Sequence, residues 1–177
     1  TELSLSHDAI EAQVYDYALL QDQSMAAAFY ADKPDEYAHV PENFVKLADM
    51  VLAHSPECKL ILEHTWGYKK EDCKGFKTVE NFNNMLREGC TTIAALKNAE
   101  ISHIGDAFIA VDTKELGNSL HASDDHHQSY YGSYLKACVN YLMITGEPFN
   151  ENVANCGIDP QKAEILRKAA EKTVLGE

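Results

Sequence analysis

The feature that most limits what this chain can fold into is an alternation of short strand-like runs with longer stretches of helical period. Tyr15–Gln21 (YDYALLQ) and Lys59–His64 (KLILEH) are brief aliphatic and aromatic runs that end in polar residues, the pattern of buried strands. Glu100–Ile104 is a weaker third. Between them, Val40–His54 places Val40, Phe44, Leu47, Ala48, Val51 and Leu52 on one helical face, and Thr78–Asn98 does the same with Val79, Phe82, Met85, Leu86, Ile93 and Leu96. Strand, helix, strand, helix, strand predicts βαβ units: an α/β protein whose parallel sheet is covered by helices.

Past the third strand, the pattern predicts a short helix over Ala107–Leu116, which Gly117 would end in a left-handed cap. The polar loop Asn118–His127 follows. Tyr130, Tyr134, Leu135, Cys138, Tyr141, Leu142 and Thr145 then repeat at helical spacing until Gly146 and Pro148. A last helix is announced by Asp159 as N-cap and Pro160 in the first turn, with Ile165, Leu166, Ala169, Ala170 and Val174 as its apolar stripe. No repeat, low-complexity tract or linker divides residues 1–177, so one domain or part of one is expected. Three strands make a thin sheet where doubly wound domains have five or more. N-terminal strands supplied from elsewhere are therefore expected.

Charge and composition narrow the function. A formal net charge of −13 argues against nucleic-acid binding, which needs a basic face to displace counterions. No apolar run has the ~20 residues that a membrane-spanning helix requires. The five cysteines, Cys58, Cys73, Cys90, Cys138 and Cys156, form no C-x-x-C pair and no familiar zinc spacing; being odd in number, they leave a thiol over even if two disulfides form.

The densest cluster of reactive side chains is His121-Ala-Ser-Asp124-Asp125-His126-His127-Gln-Ser129. In D-x-x-H, a tight turn brings the Asp124 carboxylate onto the His127 imidazole. The carboxylate fixes the ring's tautomer and stabilises its cation, and the far ring nitrogen is left to take a proton from a nucleophile. A solvated loop whose Asp and Ser cap the next helix is the plainer alternative. Metal binding by His121, Asp124, His126 and His127 is a third reading, disfavoured because adjacent histidines point apart and no outlying Cys or His pair completes a site.

The stretch from Ala122 through Cys138 (ASDDHHQSYYGSYLKAC), continuing to Thr145-Gly146, resembles the final block of SGNH (GDSL-type) hydrolases, and more closely a bacterial branch with D-G-x-H-P-S-x-x-G-x-Y-L-x-A. Leu19-Leu20-Gln21-Asp22-Gln23-Ser24 is similar to the L-Q-x-x-S of the same branch, and Thr65-Trp66 also matches it. This resemblance implies a flavodoxin-like three-layer α/β/α sandwich. It implies a Ser-His-Asp esterase site with Asp124 and His127 as triad members, Gln21 as oxyanion donor, and Ser24 and Trp66 as substrate-binding residues; the plainer alternatives are an amide that satisfies nearby backbone at a strand end for Gln21 and a partly buried core residue for Trp66. Asp125 stands where the branch has Gly, and Gln128 where it has Pro.

The matched region, from about Tyr15 to the C-terminus, corresponds to roughly the last two thirds of such a domain, without the early G-[DN]-S block that carries the nucleophile. Gly117-Asn118-Ser119 reads as G-N-S, but it follows a helix and stands five residues before Asp124. A companion segment carrying the first strands and the catalytic Ser is thus implied. The expected activity is hydrolysis of carboxylic esters, with acetylated carbohydrates the favoured substrates, no cofactor, and neither nucleic acid nor membrane as partner. The alternative is a noncatalytic carbohydrate-binding or interaction module that retains the fold.

Overall fold

A computed structural model describes residues 2–69 and 71–176. The elements run α1 (Glu2–Glu11), β1 (Tyr17–Leu20), α2 (Ala26–Asp32), α3 (His39–His54), β2 (Lys59–Glu63), a 3₁₀ turn (Glu71–Gly75), α4 (Val79–Ala95), β3 (Glu100–Ser102), α5 (Ile104–Ala110), α6 (Thr113–Leu116), α7 (Tyr130–Thr145) and α8 (Pro160–Val174). The three strands form one parallel sheet in the order β1-β2-β3. β1 and β2 pair in register from Tyr17 opposite Lys59 to Leu20 opposite Leu62. The fold class is α/β, as the alternation predicts.

Two compact units divide the described residues. The first takes the chain to Glu63 together with Arg87–Ile101. Its core joins Leu20, Leu60 and Leu62 from the strands to Val40, Phe44, Ala48 and Val51 of α3 and to Cys90, Ile93 and Ala94 of α4. The apolar face expected of α3 is thus the buried one. Where α3 ends, the fully buried Ser55 hydroxyl accepts the Tyr15 N–H at 3.1 Å, and the Lys59 N–H donates to the Asp16 carbonyl at 2.9 Å. These two bonds set the start of both strands. Gly89 on α4 lies so close to α2 that a Cβ there would stand 1.9 Å from the Ala27 carbonyl oxygen.

The second unit takes His64–Leu86 and the chain from Ser102 onward. Its core gathers Trp66, Ile104, Phe108, Leu116, Leu120, Leu135, Val139, Leu142 and Leu166, with α7 packed along α8. Helix ends follow the sequence signals. Gly117 and Gly146 cap α6 and α7 at φ 67°, and Asp159 accepts from the Gln161 and Lys162 N–H groups at the start of α8.

Three departures from expectation have local causes. The helix expected over Ala107–Leu116 starts earlier, at Ile104, and is interrupted after Ala110. There Asp112 turns its carboxylate onto the N–H groups of Lys114 and Glu115 and starts α6 afresh. The long helix ends at Ala95 rather than Asn98, so Leu96, expected on its buried face, is 53% exposed. α1 and α2 carry no clean apolar stripe of helical period, and no expectation covered them. Cys58, Cys90 and Cys138 are buried thiols and Cys156 is exposed. Burial pushes Cys90 and Cys138 up to about 12, which leaves them protonated and unreactive at neutral pH.

Candidate active site

The histidine loop between α6 and α7 is tied down at both ends. The Ser119 hydroxyl accepts the His121 N–H at 3.0 Å. Ser129 donates its hydroxyl to the Ser119 carbonyl at 2.7 Å and accepts the Gly132 N–H as N-cap of α7. His121 and Gln128 form an antiparallel bridge, and the Ala122 N–H donates to the His127 carbonyl at 2.8 Å. The loop is a miniature hairpin with Asp124 and Asp125 at its tip. Gly132 makes room for it: a Cβ there would lie 2.3 Å from the Leu120 carbonyl oxygen.

At that tip Asp124 uses both oxygens. Oδ1 accepts the backbone N–H groups of His126 and His127 at 3.0 and 2.9 Å, and Oδ2 lies 2.6 Å from Nδ1 of His127. The hydrogen bond from the imidazole, followed by those from the two backbone N–H groups, holds the Asp124 carboxyl well below the usual carboxylate range. An ionised acid is therefore fixed against one ring nitrogen. The other, Nε2, has no hydrogen-bond partner among the described residues, on a side chain 69% exposed. An imidazole held in this way is oriented to take a proton from a group arriving at Nε2.

Asp125 completes the turn at φ 56°, the left-handed region that favours glycine. This is the position at which the SGNH-like block has Gly. Asp is among the residues that tolerate the conformation, so the departure keeps the turn.

Trp66 belongs to the same unit, but it is buried rather than open to a ligand. It stacks on Phe108 with ring centroids 4.8 Å apart, and its indole N–H donates to the His126 carbonyl at 2.9 Å. The His126 ring lies against Tyr68, with centroids 3.9 Å apart, and it stacks on His127 at 4.3 Å, which corrects the expectation that adjacent histidines on this loop point apart. Trp66 is thus a positioning residue for the loop. His121, one of four ligands in the metal reading, turns inward and donates from Nε2 to the Gly67 carbonyl at 2.9 Å; burial pushes its pKa down. Ser119 spends its hydroxyl on the loop's own backbone, and Gly117 acts as a helix cap.

Gln21 and Ser24 lie in the first unit. Gln21 is exposed directly after β1, and Ser24 is half-buried in the turn that leads to α2. The Gln23 side chain shapes that turn by accepting the Met25 N–H at 2.9 Å.

One cluster went unnoticed in the sequence. His64 follows β2 and His103 follows β3, and both approach Asp106 in the first turn of α5. The signal was present, since His64 ends one predicted strand, His103 lies next to the end of another, and His103 and Asp106 are three apart. What joins them is the pairing of β2 with β3, which continues beyond the strands: the His64 N–H donates to the Ser102 carbonyl and the Gly105 N–H to the His64 carbonyl, at 3.1 and 3.0 Å.

No family model matches the sequence, and no curated protein matches it significantly. Two solved structures are similar in fold. A DUF4886 family protein from Bacteroides uniformis superposes with a TM-score of 0.79 at 22% identity, over 96% of this chain and 66% of that one. The second, from Slackia heliotrinireducens, whose description proposes an SGNH hydrolase, superposes with a TM-score of 0.63 at 22% identity, over 80% of this chain and 72% of that one. The fold is SGNH-like. This chain spans about two thirds of the length of the first neighbour.

Proposed function

We propose that this chain contributes the acid–base half of a serine esterase site that acts on carboxylic esters. The observation that carries the reading is the Asp124–His127 pair, whose 2.6 Å bond leaves Nε2 directed away from the carboxylate. The SGNH-like fold and the hydrolase description of one neighbour support it. In this reading a serine from a segment outside these residues, on a companion chain or an N-terminal part of the same domain, gives its proton to Nε2 of His127 as its oxygen attacks the ester carbonyl. Asp124 stabilises the imidazolium. The imidazolium then protonates the leaving alcohol, and water, deprotonated by the same ring, releases the acid from the acyl-serine. Ester-linked acetyl groups on carbohydrates are the proposed substrates.

The test uses the complete assembly. A fluorophosphonate probe is expected to label a serine on the companion segment and to block hydrolysis of p-nitrophenyl acetate. Absence of both labelling and hydrolysis in a preparation that binds acetylated sugars would instead identify a noncatalytic binding module.

A further inference from the structure

We propose that His64, His103 and Asp106 form a binding site for a divalent transition-metal ion of the zinc class at the carboxyl ends of β2 and β3. The two ring nitrogens converge on a single carboxylate oxygen. Nδ1 of His103 lies 3.2 Å and Nδ1 of His64 3.8 Å from Oδ2 of Asp106, and one donor atom from each residue lies within 4.8 Å of the others. A hydrogen-bonded His103–Asp106 pair accounts for the first distance alone, because 3.8 Å is too long for a hydrogen bond. Ligands at about 2.0–2.2 Å around a tetrahedral ion stand about 3.3–3.5 Å from one another. Both distances lie within about half an ångström of that range. Two imidazoles with one carboxylate suit zinc and its first-row neighbours rather than magnesium or calcium, which take oxygen.

The surroundings match what a metal ligand set requires. Asn83, 2% exposed, donates from Nδ2 to the other Asp106 oxygen, Oδ1, at 2.9 Å, which orients the carboxylate from behind. Gly105 lets the chain pack closely against Asn83 and His64: a Cβ there would stand 2.2 Å from Asn83 Oδ1 and 2.7 Å from Nε2 of His64. The donor set reaches from a fully buried residue to the surface, with His64, Asp106 and His103 at 0, 18 and 36% side-chain exposure. Three protein donors leave a coordination position for water. The location is also the one at which parallel α/β sheets bind ligands.

Titration of the intact chain with Co(II), followed by its ligand-field absorption and by displacement with Zn(II), is expected to show one site. His103→Ala and Asp106→Asn each remove a donor at a partly exposed position, and each is expected to weaken zinc binding by more than about 100-fold. That exceeds the roughly 10–100-fold expected for Asn83→Ala, which acts from behind the carboxylate. Circular dichroism confirms that the variants fold, and His127→Ala retains the site. The proposal is overturned if the unmodified chain binds no Co(II), if folded His103→Ala and Asp106→Asn bind as it does, or if His127→Ala loses the ion, which would move the ligands to the loop.

Discussion

Two histidine–aspartate pairs in this molecule have the same spacing in opposite order, Asp124-x-x-His127 and His103-x-x-Asp106, and they are built differently. In the first, the second carboxylate oxygen is satisfied by the backbone of the same four residues, and both side chains face solvent. In the second, it is satisfied by Asn83, 23 positions away, and a second imidazole arrives from the end of another strand. A local pair yields one oriented imidazole with its far nitrogen available, which is what proton transfer asks for. The pair assembled from distant segments yields several donors aimed at one point, as an ion asks for.

The largest effects should separate the two pairs by chemistry. In the proposed esterase, His127→Ala removes the base itself, and kcat for p-nitrophenyl acetate is expected to fall by about 10⁶. Asp124→Asn removes only the orienting charge and is expected to cost about 10⁴. Steady-state kinetics of the complete assembly measure both. Equal and small losses would place the proton transfer elsewhere.

Packing comes next. Gly105→Ala would press a Cβ to 2.3 Å from the Thr65 carbonyl oxygen as well as onto Asn83 and His64, and neither the backbone nor the buried imidazole can retreat easily. Overpacking of this kind costs about 1–3 kcal/mol, which lowers the melting temperature by about 2–12 °C for a chain of this size. Thermal unfolding followed by circular dichroism reads it. A variant as stable as the parent would show that the strand-end cluster is loosely held.

The same contrast explains what could be read in the sequence. Strands β1 to β3 were legible because short aliphatic runs between amphipathic stretches have few other uses, and the caps Gly117, Ser129 and Asp159 act within four residues of themselves. The Asp124–His127 bond was legible for the same reason. The partners of Trp66 were not, because they are Phe108 and a carbonyl 60 residues away. Nor was the gathering of His64, His103, Asp106 and Asn83, which depends on strand order. The break between α5 and α6 had a readable cause in Asp112-Thr-Lys-Glu115, a capping-box pattern inside an apparently continuous helical stretch.

A smaller effect concerns pH. Hydrogen bonding lowers the Asp124 pKa in the folded state, so its contribution to stability is complete above the unfolded value of ~3.9 and is lost as the pH falls through the folded one. The carboxyl carbon of Asp124, followed by NMR, is expected to show no titration step between pH 5 and about 3. A midpoint near 4 would mean that the turn does not hold the acid in solution.

The smallest effect tests the backbone of the loop alone. Asp125 sits at φ 56°, where an ordinary L-residue is strained by roughly 1–2 kcal/mol and aspartate by less, since its short polar side chain can bond locally. Replacing it with glycine removes that strain but adds roughly 0.5–1 kcal/mol of conformational freedom to the unfolded chain. The two terms nearly cancel, so Asp125→Gly is expected to shift stability by less than about 0.5 kcal/mol, whereas a β-branched Asp125→Val pays the full strain of about 1–2 kcal/mol. Denaturant unfolding of the pair measures the difference. If valine were tolerated as well as glycine, the turn would not require the left-handed conformation, and the local construction that distinguishes this pair from the one at the strand ends would fail with it.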